Sequence, residues 1–471
     1  MADGGRTDQA GEKKPAEPER SAVMRGVATE WRHPGGPADH EADPRHSTDP
    51  ADRAAEIPAL SPAESERYSR QIRFAPIGPD GQRRLLGSSV LIVGAGALGA
   101  SLAQHMARAG VGRIRIVDRD FVEPSNLQRQ TLFDEEDARL ALPKAAAAAA
   151  KLRRINSGVA IEAHVADVTP ANAAALAEGV DLVLDGTDNA ATRLLMSGVC
   201  FTLGIPFVYG GAVGASGMSA MLVPGETACL RCLIGGDGEA EEAGTCETEG
   251  VIAPVVELVA ALQAAEALKW LSGRRDALRR TWISASLWPF EIREWRLPGP
   301  GRDCPSCGRA RPAAEAGGMS REPGTARTEP DAAGAVIAGR GVAAGAGRER
   351  SGANEGIVAG AGRERTFAPA GVAPPFAGPV RAAVLCGRDT VQLAFDRPLP
   401  LDRIGERLEA EGCRITRNPW LIRAETGDGR RYVFFRSEGR VLVQGVASAD
   451  EAVRGLTALM DFPDEEGVAA R

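Results

Sequence analysis

Lysine, long apolar runs and a strong charge of one sign are all scarce in this chain of 471 residues. Only five lysines occur among 56 basic residues, and the formal net charge is −7. No strong basic field therefore exists to attract nucleic acid or an anionic membrane, and no run of eighteen apolar residues predicts a membrane span. The N-terminus lacks the apolar core of a secretory signal, so we expect a cytoplasmic protein that binds neither nucleic acid nor membrane.

Composition divides the chain into four predicted parts. Residues 1–60 are rich in Pro, Gly and charged residues, so we expect them to be disordered. Residues 61–309 carry the apolar periodicity of a compact domain, and residues 310–376 form a low-complexity segment that predicts a linker. Residues 377–471 have the pattern of a small α+β domain, for which we expect an accessory role such as partner docking.

The predicted main domain alternates strands and helices, which indicates a doubly wound, Rossmann-like and mostly parallel sheet. The strands are predicted at 88–93, 113–118, 160–164, 182–185 and 206–209, and the helices at 98–109, 144–156, 171–178 and 192–203. Later segments predict added strands at 217–223, 281–286 and 291–297, and a long apolar helix at 255–271. In the C-terminal part we predict strands at 390–395, 421–424, 431–436 and 440–444, with helices at 401–411 and 448–459.

A glycine-rich loop, Gly94-Ala-Gly96-Ala97-Leu-Gly99, follows the first predicted strand. Its glycines allow a tight turn and close approach of a ligand, and the start of the next helix offers free N–H groups. Asp118 closes the second predicted strand, where a carboxylate usually binds ribose hydroxyls. The pattern predicts a nucleotide site, with a structural turn as the alternative, but dehydrogenases share these features.

Three basic residues favour a triphosphate over a nicotinamide cofactor. Arg129 follows a Ser-Asn-Leu-Gln run, Lys144 stands at a predicted helix start, and Arg70 precedes the sheet. Phosphoryl chemistry depends mainly on positioning and neutralising negative charge, so three cations suit ATP. Asp188 lies just past a predicted strand, where ligands of open α/β sheets bind, and is a candidate to hold Mg²⁺. A solvated surface role is the alternative for each charge taken alone.

Two C-x-x-C pairs supply four thiols, those of Cys229, Cys232, Cys304 and Cys307. Four Cys suit a closed, tetrahedral and structural Zn²⁺ site, which would tie the end of the main domain to its middle. Because four Cys leave no open coordination position, we assign this metal no catalytic role. A redox pair is the alternative for either C-x-x-C alone.

Taken in order, these motifs resemble those of the MoeB/ThiF/HesA adenylyltransferases, which are bacterial relatives of the ubiquitin-activating enzymes. The resemblance spans residues 64–308 and rests on Tyr68-Ser-Arg-Gln-Ile72, the glycine loop, Asp118-x-Asp-x-Val-x-x-Ser-Asn-Leu-x-Arg-Gln130, Pro143-Lys144, Asp185-Gly-Thr-Asp-Asn189 and the two C-x-x-C pairs. One departure is Ala97, where many relatives have Gly; its methyl group could narrow the phosphate pocket.

The resemblance implies an activity. Such enzymes bind Mg·ATP and the C-terminal Gly-Gly tail of a ubiquitin-like sulfur-carrier protein. The tail carboxylate attacks the α-phosphorus, pyrophosphate leaves, and the carrier–AMP anhydride later becomes a thiocarboxylate for thiamin- or molybdopterin-type cofactors. A sulfurtransferase is a further candidate partner. In the family, Arg70 reaches the nucleotide of the partner subunit, which implies a homodimer.

The resemblance also implies residue roles. Asp118 would bind ribose, Asp188 would hold the metal and Asn189 would lie beside the nucleotide. The catalytic set would be Arg70, Arg129, Lys144, Asp188 and Cys246, where Cys246 either receives the activated carrier or is an unreactive loop thiol. The residues expected to contact the nucleotide are Gly94, Gly96, Ala97, Gly99, Asp118, Asp120, Ser125, Asn126, Gln128, Arg129, Lys144, Asp188 and Asn189.

Other functions remain open on sequence alone. An NAD(P)-dependent oxidoreductase would use the glycine loop and Asp118, but it gives no reason for Arg70, Arg129 and Lys144 together. A non-catalytic adaptor, like the inactive halves of heterodimeric activating enzymes, would not need an intact charged set. An adenylyltransferase could also accept a peptide in place of a sulfur carrier.

Overall fold

The computed structural model describes residues 59–235, 249–308, 365–367, 380–385, 389–436 and 439–460. Three helices lead into the main sheet: α1 (Pro62–Arg67), α2 (Ser69–Ile72) and α3 (Gly78–Leu86). The first begins with a capping box, in which Ser61 Oγ accepts the Glu64 N–H and the Glu64 carboxylate accepts the Ser61 N–H.

Eight strands form the main sheet in the order β3-β2-β1-β4-β5-β6-β7-β8. The strands β1 to β5 are parallel, and β6, β7 and β8 extend the sheet in antiparallel pairs. Their bounds are Ser89–Val93, Arg113–Val117, Ala160–His164, Leu182–Asp185, Phe207–Val213, Ser216–Leu222, Thr281–Leu287 and Phe290–Arg296. This arrangement confirms the predicted doubly wound, mostly parallel sheet with three added strands.

Helices cover both faces of the parallel strands because successive side chains in a strand point to opposite faces. Ile92 and Leu184 enter the core beneath the helices that begin at Ala97, Lys144 and Ala253, whereas Leu91 and Val183 enter the core on the other face. The helices are α4 (Ala97–Ala109), α5 (Glu135–Arg139), α6 (Lys144–Ile155), α7 (Ala173–Ala177), α8 (Ala190–Leu203), α9 (Leu230–Ile234) and α10 (Ala253–Leu271).

A second, antiparallel sheet forms the small C-terminal α+β domain, in the order β12-β13-β14-β15-β11-β10-β9. Two helices, α11 (Leu401–Ala410) and α12 (Ala449–Leu459), pack on this sheet around a separate apolar core. The strands β9 to β15 are Arg365–Phe367, Val380–Leu385, Thr390–Ala394, Arg414–Arg417, Leu421–Glu425, Arg431–Phe435 and Arg440–Gln444.

The sequence patterns did not predict β9, β10 or β12. The strand β9 lies inside the range predicted as a linker, and it pairs with β10. The second sheet therefore begins earlier along the chain than residue 377. The sequence pattern did not reveal β9 because a three-residue strand has too little apolar periodicity to stand out from its surroundings. Within the described ranges, we find no helix that is both long and apolar enough to cross a bilayer.

Candidate nucleotide and metal sites

The glycine loop lies where the strand order of the main sheet reverses, between β1 and β4. In open α/β sheets this switch point is where ligands bind. Gly94 has φ +89°, and a Cβ on it would lie 2.6 Å from the Gly186 carbonyl oxygen in the loop after β4. A Cβ on Gly99 would lie 1.8 Å from the Gly94 oxygen. Gly94 and Gly99 are therefore required for close backbone packing, because any side chain at either position would clash with the neighbouring backbone.

Gly96 has a different surrounding. It is the N-cap of α4, and a Cβ built on it would find its nearest neighbour, Gln130 Nε2, at 3.9 Å. Packing within the described residues therefore does not require glycine here, whereas close approach of a ligand would. Ala97 begins α4, so its N–H belongs to the first turn, whose N–H groups have no partner within the helix.

A carboxylate pair and a buried lysine lie at the end of β2. Asp118 accepts the Ala95 N–H at 2.7 Å and the Asp120 N–H at 2.6 Å. Lys144 Nζ lies 3.2 Å from Asp120 Oδ2, and only 5% of the lysine side chain is exposed. Burial, with a smaller contribution from Asp120, raises the pKa of Asp118 to about 6 although Lys144 lowers it. At neutral pH Asp118 is therefore mostly ionised and can accept hydrogen bonds from ribose.

Residues 119–144, which lead from the end of β2 to the first residue of α6, are called the nucleotide segment. Its buried Asn126 accepts the Glu123 N–H at 3.1 Å through Oδ1, but its Nδ2 has no partner among the described residues. A buried donor left unsatisfied costs about 1–3 kcal/mol, so this amide fits a site that a phosphate oxygen completes. Arg129 is partly exposed and donates to the Ser125 carbonyl at 3.0 Å, while Ser125 and Gln128 are exposed.

The loop after β4 carries the predicted metal ligand. Asp188 is exposed, and its carboxylate is among those that raise the pKa of Arg119 against the lowering effect of burial. Arg119 also pairs with Asp167 at 2.9 Å. Asn189 serves as the N-cap of α8, since its Oδ1 accepts the Thr192 N–H at 2.8 Å. Asp188 thus stands at the carboxyl end of β4, with its oxygens open to a hydrated cation.

Sequence reasoning missed the groups that hold this loop. The fully buried Asp185 accepts from the Thr187 N–H at 3.0 Å and from Arg193 Nε at 3.1 Å. Gln263 in α10, also fully buried, donates through Nε2 to the carbonyls of Asp185 and Val208 at 2.9 and 3.0 Å. The available signals were weak: an arginine eight residues after a strand-end aspartate, and one amide inside an apolar helix.

Within a single chain, Arg70 lies far from the glycine loop. Arg70 is exposed on α2, whose neighbouring Gln71 donates to the Ala109 carbonyl at the C-terminal end of α4. The helix α4 has 13 residues, so its two ends are about 20 Å apart. Cys246 lies outside the described residues, and its acceptor role stays a prediction.

The four cysteines of the two C-x-x-C pairs converge into one cluster. Cys229 Sγ lies 3.6 Å from Cys304 Sγ and 3.8 Å from Cys232 Sγ, and Cys232 Sγ lies 3.6 Å from Cys307 Sγ. A tetrahedron of sulfurs about 2.3 Å from a zinc ion has edges of roughly 3.8 Å, whereas a disulfide needs about 2.05 Å. The distances therefore fit Zn²⁺ ligation and do not fit disulfides.

The model of the ThiF family matches residues 68–306 of this chain. The chain is 37% identical over 384 residues to the sulfur carrier protein ThiS adenylyltransferase of Bacillus subtilis (strain 168). The alignment covers 80% of this chain and 94% of that protein. It is 41% identical over 255 residues to the SAMP-activating enzyme E1 of Haloferax volcanii, with coverage of 53% and 91%.

Longer relatives and solved structures also match. The adenylyltransferase and sulfurtransferase MOCS3 of Bos taurus is 40% identical over 250 residues, and this chain spans about half (54%) of its length. A crystal structure of E. coli MccB with MccA-N7isoASN aligns at 22% identity and a TM-score of 0.46, over 53% of this chain and 75% of that one. PaaA aligns at 22% identity and a TM-score of 0.44, over 60% and 83%.

Proposed function

Because this chain belongs to the ThiF family, we propose that it adenylylates the C-terminal glycine carboxylate of a ubiquitin-like sulfur carrier and releases pyrophosphate. The observation that carries the proposal is the cluster of Asp118, Asp120 and Lys144 beside a glycine loop that is open at Gly96. The names of the relatives from Bacillus subtilis and Bos taurus support a role in sulfur transfer, with a sulfurtransferase as a further partner.

The site supports ATP binding through two kinds of contact. Asp118 accepts ribose hydroxyls with the lone pairs that the Ala95 and Asp120 N–H groups leave available. The phosphates lie against the first turn of α4, where N–H groups point outward, and meet donors from Asn126, Arg129 and Lys144. A nicotinamide dinucleotide has only a diphosphate, which the first turn of α4 can bind, so it gives no reason for Asn126, Arg129 and Lys144 together, and the oxidoreductase alternative is less well supported.

The reaction itself needs charge neutralisation more than proton transfer. An ionised carboxylate oxygen forms a bond to the α-phosphorus, and the bond from that phosphorus to the bridging oxygen of pyrophosphate breaks. Lys144 and Arg129 stabilise the negative charge that grows on the phosphate oxygens. Asp188 would hold Mg²⁺, which neutralises phosphate charge when bound. The intact set of charged groups also argues against an adaptor.

A second metal and a second subunit complete the proposal. The four Cys side chains would hold a structural Zn²⁺ that ties the chain around residue 304 to the start of α9. Because Arg70 lies at the far end of α4 from the glycine loop, it would act on the nucleotide of a partner subunit in a homodimer.

Intact-mass spectrometry tests the substrate directly. The chain is incubated with Mg²⁺, ATP and a sulfur-carrier protein that ends in Gly-Gly, and a carrier–AMP adduct is expected. A carrier that lacks its last glycine is the matched control and should gain no AMP. Asp188→Ala should abolish adduct formation, because the metal ligand is lost. An adduct on neither carrier, from an enzyme that binds ATP, would contradict the proposed substrate.

A further inference from the structure

The two ends of the nucleotide segment, residues 119–122 and 140–144, pair with each other and are called its two arms. The Val122 N–H donates to the Leu142 carbonyl at 2.8 Å, and the Lys144 N–H donates to the Asp120 carbonyl at 2.8 Å. Phe121 also pairs with Pro143 across the arms. Since Asp120 and Lys144 stand at the end of this pair, the position of the arms sets the position of both charged groups.

The C-terminal sheet packs directly on these arms. Phe121 from one arm and Ala141 from the other are buried in a small apolar cluster, and the Phe121 and Phe435 ring centroids are 6.4 Å apart. The remaining members come from strands β13, β14 and β15 and are Leu421, Val433, Phe435 and Leu442. The two domains therefore share a core at the nucleotide segment, separate from the core of either domain.

Two buried polar side chains of the C-terminal domain each hold one arm. Asn418, which is 8% exposed, donates through Nδ2 to the carbonyls of Leu140 and Ala141, both at 3.0 Å. Arg440, which is 4% exposed, donates through Nη2 to the Arg119 carbonyl at 2.6 Å.

The backbone beside Asn418 adopts a conformation that alanine does not favour. Ala141 has φ +47°, in the left-handed region where a non-glycine residue is strained by about 1 kcal/mol or more. Such a conformation persists only when its surroundings hold it. The Asn418 hydrogen bond and the shared apolar cluster supply that restraint three residues before Lys144.

From these contacts we propose that the C-terminal domain is a positioning element of the nucleotide site. Asn418 and Arg440 are positioning residues: they fix the two arms and thereby hold Lys144 where it meets the phosphates. This inference rests on the proposed function, because it takes Lys144 as a phosphate ligand. It gives the accessory domain a direct effect on ATP binding rather than a docking role alone.

Titration calorimetry of the full chain with ATP and with adenosine tests the inference. Asn418→Ala removes the donor that holds the turn at Ala141, so ATP should bind about tenfold more weakly, whereas adenosine, which has no phosphates, should bind as before. Ser448→Ala is the matched control. It removes the N-cap of α12, which packs on β10 and β11 of the same domain, and should leave both affinities unchanged.

A second substitution should reverse the effect. Glycine adopts positive φ without strain, so Ala141→Gly in the Asn418→Ala background should restore most of the ATP affinity. If Asn418→Ala does not fold, Asn418→Asp is measured in the same way, because it keeps the Oδ1 that accepts the Trp420 and Leu421 N–H groups and removes only the Nδ2 donor.

The outcomes separate this inference from the proposed function. A wild-type chain that binds ATP, with variants that bind ATP equally well or lose adenosine affinity in parallel, would overturn the positioning role alone. A double variant no better than the single one would also overturn it. A wild-type chain that binds no ATP would overturn the proposed function and this inference together.

Discussion

Two alanine substitutions in the glycine loop should separate packing from ligand approach. In Gly99→Ala the new Cβ would lie 1.8 Å from the Gly94 carbonyl oxygen and 2.7 Å from its carbon. Both atoms belong to backbone that is held by β1, so they must separate by roughly 1.5 Å or more to reach ordinary contact. Overpacking of this kind costs about 3 kcal/mol or more, which corresponds to a Tm lower by roughly 6–12 °C.

Gly96→Ala should have the opposite signature. Its Cβ would meet Gln130 Nε2 at 3.9 Å, which is ordinary contact, so the fold should lose only about 1 kcal/mol at this N-cap. The methyl group would instead occupy the space through which phosphates approach the first turn of α4. We expect ATP affinity to fall at least about tenfold, or about 1.4 kcal/mol.

The pair is measured by thermal unfolding without ligand and by calorimetric titration with ATP. We expect Gly99→Ala to lower the Tm. We expect Gly96→Ala to lower the ATP affinity without a large change in Tm. Wild-type ATP affinity in Gly96→Ala would refute the placement of the nucleotide at this loop. A wild-type Tm in Gly99→Ala would refute the close backbone contact.

Three further predictions address the ribose, the metal and the dimer. Because the pKa of Asp118 is raised to about 6 from 3.8, the ionised fraction of this carboxyl falls as pH drops through 6. Adenosine affinity measured by calorimetry should therefore fall about tenfold per pH unit below that value. Asp118→Asn should bind adenosine weakly and without this pH dependence. The purified chain should contain one zinc by elemental mass spectrometry, and Cys232→Ser should lower the Tm by roughly 10 °C or more; zinc-free protein of unchanged Tm would contradict the structural site. If Arg70 acts in trans, mixing inactive Arg70→Ala and Lys144→Ala chains should restore about a quarter of wild-type pyrophosphate exchange, whereas action in cis would restore none.

Local patterns were sufficient to predict the main domain. Alternating strands and helices, punctuated by glycine loops, place Asp118 and Asp188 at strand ends, and Lys144 begins a helix as predicted. The two C-x-x-C pairs predict their own convergence, because short spacing brings each pair together and the metal requirement brings the pairs together. In these cases residue type and spacing carry the needed information.

Contacts between distant parts of the chain could not be predicted in this way. Asn418 is 277 residues from Ala141 and Arg440 is 321 residues from Arg119, and no local pattern marks either hydrogen bond. The short strands β9 and β12 were missed because they gain their stability from pairing rather than from propensity. The position of Arg70 at the far end of α4 is likewise a tertiary property, since the motif that contains it says nothing about distance.

ATP–pyrophosphate exchange with Mg²⁺, in the presence and absence of a sulfur-carrier protein that ends in Gly-Gly, tests the central claim most directly. Reversible adenylylation requires exchange that depends on the carrier and disappears in Lys144→Ala. Exchange that proceeds equally without any carrier, or no exchange from a chain that binds ATP, would contradict adenylylation of a sulfur carrier.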